Sequence, residues 1–110
     1  IPMQAAYLSI KSLQLLIKTI SMVKRQINPK IVIEGVLVTM VDNRINNSKE
    51  IRKLLVENYG NKVQIFKSSI PMAVKTAEAP AAGVSVYEYD PHGNATKAYE
   101  SLVKEIIGNE

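Results

Sequence analysis
Asp42 stands directly after a β-branched apolar run, Ile70-Pro71 closes a second such run, and Lys75 and Glu78 follow before Pro80. These are the positions at which the sequence could do chemistry. A carboxylate just past a buried strand can accept hydrogen bonds from an exocyclic amine or a loop amide, and Asp in "VDNR" is equally a turn former, so both readings of Asp42 stay open. Catalysis finds little else. The single histidine, His92, lies in "DPHGN", a turn composition, and reads as a solvated turn residue. With no cysteine and no second histidine, neither a metal site nor a nucleophile–base dyad can be assembled around it. The five glycines, at 35, 60, 83, 93 and 108, are too scattered for a phosphate cradle.

The elements that must position these residues follow from periodicity. Apolar residues at 10, 13, 16, 17, 20 and 23 predict a helix from about Leu8 to Gln26, ended by Asn28-Pro29. "KIVIEGVLVTM" predicts a buried strand ending at Met40. Asn47 with Glu50 resembles a capping box, which starts a helix from about Ser48 to Asn58 with Gly60 as its stop and Ile51, Leu54, Leu55 and Tyr59 as its buried face. "KVQIFKSSIP" reads as a second strand and "VSVYEYD" as a shorter third. After a turn at Pro91 to Gly93, Ala95, Ala98, Tyr99, Leu102, Val103, Ile106 and Ile107 trace the stripe of a last helix. Alternation of this kind predicts an α/β fold with a mainly parallel, doubly wound sheet. In such sheets ligands sit beyond the carboxyl ends of the strands, here Gln4 to Tyr7, Thr39 to Asn46, and a loop from Pro71 to Pro80.

Composition sets the outer bounds. The 110 residues, 46% apolar and 22% charged, fit a globular unit. No apolar run approaches the roughly 18 residues of a membrane span, and no secretory signal is legible. The absence of cysteine fits a reducing compartment. The net charge of +4 is carried by residues 1–35, where Lys11, Lys18, Lys24, Arg25 and Lys30 face Glu34 alone. Lys11, Lys18 and Arg25 are seven apart and form one stripe, either a solvated helix face or a surface for a polyanion. Five tyrosines without interleaved basic residues make a poor single-strand binding signature. Ile1-Pro2 looks like the tail of a strand, so the chain is expected to be a fragment.

Four pieces in register, Thr39-Met40-x-Asp42-x-Arg44, Ile70-Pro71-x-x-Val74-Lys75, Glu78-Ala79-Pro80 and Tyr87 to Ala98 with Asp90-Pro91, resemble the C-terminal part of ParA-type partition ATPases, the deviant Walker P-loop family that includes MinD. The resemblance runs from Ile1 to about Ile107. It implies that residues 1–110 are the C-terminal part of one such P-loop NTPase domain, lacking the P-loop half, and that this chain alone does not hydrolyse ATP. By the same resemblance Met40, Asp42, Pro71 and Val74 would form part of an adenine pocket, and Arg44 and Lys75 would contact DNA without regard to sequence. ATP and Mg in the intact parent, a homodimer, a ParB-type centromere-binding partner and a cytoplasmic, nucleoid-associated location are implied in the same way; a parent nearer to MinD, recruited to a membrane by a basic amphipathic helix, is disfavoured because Gly108-Asn109-Glu110 follow the last stripe without a basic extension. The sequence departs from the family's pattern at Met72 and Ala73, where many relatives carry Arg and Asn, and at Ala6 and Ile45. A short non-enzymatic adaptor that pairs with a full-length ATPase or a DNA-bound partner is the alternative. For a fragment, the strand at 31–40 is expected to lie exposed along one edge and to invite pairing with another chain.

Overall fold
The computed structural model describes residues 1–4, 10–42 and 47–108. Three parallel strands, β1 (Pro2–Gln4), β2 (Val36–Val41) and β3 (Ile65–Pro71), form a sheet in the order β1-β2-β3. The helices between and after them are α1 (Ile10–Gln26), α2 (Asn47–Tyr59), α3 (Val74–Ala81), α4 (Val86–Tyr89) and α5 (Asn94–Gly108). The result is the α/β alternation with a parallel sheet that the sequence predicts. Leu13 of α1, Val36 and Val38 of β2, and Leu55 and Tyr59 of α2 make the buried cluster, with Ile1, Met3, Ile17, Val41, Val63 and Ile65 packed around it. β2 supplies two of its five residues, Val36 and Val38, which alternate with Leu37 and so share one face of the central strand.

The strand at 31–40 is therefore not an edge. β1 pairs with Leu37 to Thr39 on one side and β3 with Val36 to Val41 on the other, and regular strand begins only at Val36. The run read as one strand from Lys30 contains an irregular lead-in, and Gly35 at its end is there for space. A Cβ at Gly35 would stand 2.6 Å from the Phe66 ring.

Two further expectations are corrected. The segment 71–80, read as a loop because two prolines bracket it, is mostly the helix α3. Lys75, Ala77, Glu78 and Ala79 favour helix, and Pro80 falls in the last turn, where its missing N–H costs one hydrogen bond. The helix then closes with Gly83 in the left-handed region (φ 72°), Gly83 N–H on the Pro80 carbonyl and Val84 N–H on the Ala79 carbonyl. That is the glycine-dependent C-terminal closure whose six-to-one and five-to-two bonds satisfy the last carbonyls. "VSVYEYD", read as a strand from its alternation, is the single turn α4. Ser85 is its N-cap and accepts from Glu88 N–H at 3.3 Å, so a Ser-x-x-Glu cap outweighed the period-two pattern.

β2 and β3 do not pair evenly. Between Val36↔Ile65 and Val38↔Ser69 the β3 side carries two extra residues, and between Val38↔Ser69 and Val41↔Pro71 the β2 side carries one. The second irregularity coincides with Met40, the one non-glycine with positive φ (53°) among the described residues. A bulge of this kind re-aims the strand end, and bulges concentrate beside functional sites. Met40→Val should lose about 1–2 kcal/mol because a β-branched side chain tolerates the left-handed region poorly, whereas Met40→Gly should stay within about 0.5 kcal/mol of the parent. Urea unfolding of the two variants measures this; equal losses would remove the strain from Met40.

Candidate functional site
Past the carboxyl ends of β2 and β3 lies a groove of about 500 Å³ lined by Val41, Asp42, Pro71, Met72, Ala73, Val74, Lys75, Asp90 and Asn94. Each contribution has a local cause. Val41 and Asp42 arrive at the strand end just past the Met40 bulge, and Met72 N–H on the Val41 carbonyl (2.9 Å) carries the pairing on beyond Pro71. Ala73, extended at φ −144°, turns the chain from β3 into α3 and so brings Val74 and Lys75 to the rim. Asp90 and Asn94 come from the turn between α4 and α5. That turn is held by the buried Thr96 hydroxyl, which donates to the Asp90 carbonyl at 2.6 Å and lies 3.3 Å from that of Val86.

The walls are apolar at Val41, Pro71 and Val74, and the polar groups gather at the rim. Lys75 Nζ stands 3.7 Å from Asp90 Oδ1. One turn further along α3, Glu78 accepts a hydrogen bond from the Tyr89 hydroxyl at 2.9 Å. That hydrogen bond, then the charge of Glu78 and then burial, hold the Tyr89 phenol above its usual range. Two polar contacts thus fasten α3 to the α4–α5 turn along the outer lip of the groove.

Of the residues singled out from the sequence, the structure brings Asp42, Pro71, Val74 and Lys75 together. Met40 sits at the bulge beside them, about two-fifths exposed, and is not among the lining residues. Arg44 lies outside the described residues. Asp90 and Asn94 were missed as site residues. Asp90-Pro91 was legible as a turn, and the signal that places it here is a long-range one, the packing of α5 on β3. His92 is exposed in that turn, as its composition predicts.

The groove is apolar at Val41, Pro71 and Val74 and carries the carboxylates of Asp42 and Asp90 with the ammonium of Lys75. No glycine-rich cradle occurs in the sequence, and among the described residues no three His, Cys, Asp or Glu side chains stand close enough to hold an ion. Among the described residues, also, no helix is long and apolar enough to cross a membrane.

A parallel sheet flanked by helices, with its groove beyond the carboxyl ends of the strands, is the α/β architecture that places ligands at that end of the sheet. Residues 4–86 match the family model described as the CobQ/CobB/MinD/ParA nucleotide binding domain, and the chain belongs to that family. It is 34% identical over 110 residues to the chromosome-partitioning ATPase Soj of Treponema pallidum, all of this chain and 43% of that protein. It is 34% identical over 109 residues to the sporulation initiation inhibitor protein Soj of Bacillus subtilis, 99% of this chain and 42% of that protein. The chromosome partitioning protein ParA of Caulobacter vibrioides is 34% identical over 110 residues, all of this chain and 40% of that protein. The chain therefore spans about two-fifths of the length of these relatives.

Proposed function
We propose that residues 1–110 are the C-terminal part of a single ParA-like ATPase domain that segregates DNA. The observation that carries this reading is the similarity to partition proteins over the whole chain, 34% over 110 residues in Soj of Treponema pallidum, with Asp42, Pro71, Val74 and Lys75 gathered at one groove. In this reading the groove holds the adenine base of ATP, Pro71 and Val74 packing on its faces and Asp42 accepting from its amine, with Met40 beside them. The triphosphate and Mg belong to a P-loop half outside these residues. ATP supplies the free energy of a dimerisation and hydrolysis cycle; what this chain's residues contribute is base binding and the cations Lys75 and Arg44 for DNA phosphates. Lys75, with Arg44 on the segment after β2, meets DNA phosphates in the ATP-bound homodimer, a contact that needs charge rather than base reading. A ParB-type centromere-binding protein stimulates hydrolysis and releases the DNA, in the cytoplasm on the nucleoid.

The test is made on the full-length protein carrying this segment. ATP, and not ADP, should confer salt-sensitive binding to duplexes of unrelated sequence. Arg44→Ala and Lys75→Ala should each weaken it about tenfold across all sequences and lower the salt slope by about one. Unchanged affinity in both variants removes these two residues from the proposal.

A further inference from the structure
Lys75 is not idle in this structure: its ammonium is 3.7 Å from the carboxylate of Asp90. The two partners are held very differently. Lys75 projects from α3 with 60% of its side chain exposed, against 25% for Asp90. Asp90 is fixed by its backbone, with its N–H on the Val86 carbonyl (2.9 Å) and its carbonyl accepting from Thr96 Oγ1 (2.6 Å) and Gly93 N–H (3.1 Å). Its carboxylate lies over Gly93 so closely that a Cβ there would stand 2.0 Å from Oδ2. The neighbouring acid on the same lip, Glu78, is engaged by the Tyr89 hydroxyl instead.

From this asymmetry we propose that Asp90 is an intramolecular competitor for Lys75, a built-in anion that a DNA phosphate must displace. The inference rests on the reading of Lys75 as a DNA contact. A fixed carboxylate and a long, exposed lysine make an exchangeable pair: the acid stays, and the ammonium leaves when a stronger anionic field arrives. Asp90 thereby lowers the affinity of the rim for DNA and keeps Lys75 at the lip of the groove when no DNA is bound. An exposed pair of this kind is weak, so the brake is worth about fivefold and not a hundredfold.

The experiment measures binding of a fluorescent 24-base-pair duplex, a length of about two helical turns, to the ATP-loaded full-length protein at low salt. Asp90→Asn should tighten binding about fivefold, and the gain should vanish in a Lys75→Gln background. Gly93→Ala, which keeps both charges and displaces the carboxylate, should tighten binding in the same direction, while Glu78→Gln, which removes a nearby charge without touching the pair, should change it less than about twofold. If Lys75→Gln weakens binding but Asp90→Asn leaves it unchanged, or tightens it equally with and without Lys75, the competitor role is overturned and the DNA reading stands. If Lys75→Gln has no effect, or the ATP-loaded protein does not bind the duplex, the DNA reading falls and takes this inference with it.

Discussion

Leu55→Ala is expected to cost about 3 kcal/mol of folding stability, and Leu54→Ala, one residue earlier on α2, less than about 1 kcal/mol. Leu55 has no exposed surface and packs in the cluster with Leu13, Val36, Val38 and Tyr59, whereas Leu54 is 48% exposed. Truncating a fully buried leucine loses the transfer free energy of its methyl groups and leaves a cavity that the surrounding side chains fill only in part. At this site the walls come from β2 and from two helices, so collapse onto the void would have to move the sheet. A loss of that size is a large share of the 5–15 kcal/mol typical of a domain. Urea unfolding followed by circular dichroism measures it: Leu55→Ala should lower the midpoint with the slope unchanged, and Leu54→Ala should nearly overlay the parent. Equal losses in the two would mean that α2 presents a different face to the sheet. The consequence reaches the site, because Arg52 on the same helix donates to the Phe66 carbonyl of β3 at 3.0 Å. Loosening α2 frees one support of the strand that ends in Pro71.

That contrast between two adjacent leucines also marks what periodicity can and cannot say. The spacing of Leu54, Leu55 and Tyr59 identifies a helix, and α2 spans Asn47–Tyr59 within a residue of the expected bounds. It does not identify how wide the buried stripe is, since that depends on what lies opposite, and β3 covers only part of α2. On α1 the same limit shows: Leu13 is fully buried, while Leu16, inside the predicted stripe, is 39% exposed. Lys11, Lys18 and Arg25 are exposed on that helix as the sequence suggests, without deciding between solvent and a polyanion. The errors at 71–80 and at "VSVYEYD" have one cause. In both, strong local markers, two prolines or an alternating run, point one way and a cap whose geometry decides the outcome points the other, Gly83 in one case and Ser85 in the other. The groove was legible in outline because strand ends are legible. Its far wall, Asp90 and Asn94, was not, because it depends on α5 folding back on β3 over a long sequence separation.

What fastens that fold-back is the ground for the second expected effect. Glu105 on α5 accepts from the backbone N–H groups of Lys67 (2.5 Å) and Ser68 (3.0 Å), on the stretch of β3 where the pairing with β2 slips by two residues. A slip leaves consecutive strand N–H groups without ladder partners, and one carboxylate answers two of them. Burial alone would raise the Glu105 pKa. The two backbone hydrogen bonds, joined by the Ser68 hydroxyl and the charge of Lys67, outweigh it and bring the pKa below its ordinary 4.5. A carboxyl whose folded pKa lies below its unfolded value contributes stability at pH above the unfolded pKa, and that contribution is lost as pH falls through the folded pKa. Glu105→Gln, which keeps the shape and loses the charge and one acceptor, is therefore expected to destabilise at neutral pH by less than about 1 kcal/mol, the carboxylate being largely solvated. It should cost almost nothing below the folded pKa, where the parent's carboxyl is itself protonated. Thermal unfolding of parent and variant across the acid range should give two curves that converge as pH falls, the parent's being the steeper. Parallel curves would mean that Glu105 does not hold these bonds and that α5 is held on β3 by its apolar stripe alone. Convergence would show that Asn94, and the turn before it that carries Asp90, reach the groove at the start of a helix anchored near its far end to an irregular strand, so that the site is held by a charge about three helical turns from it.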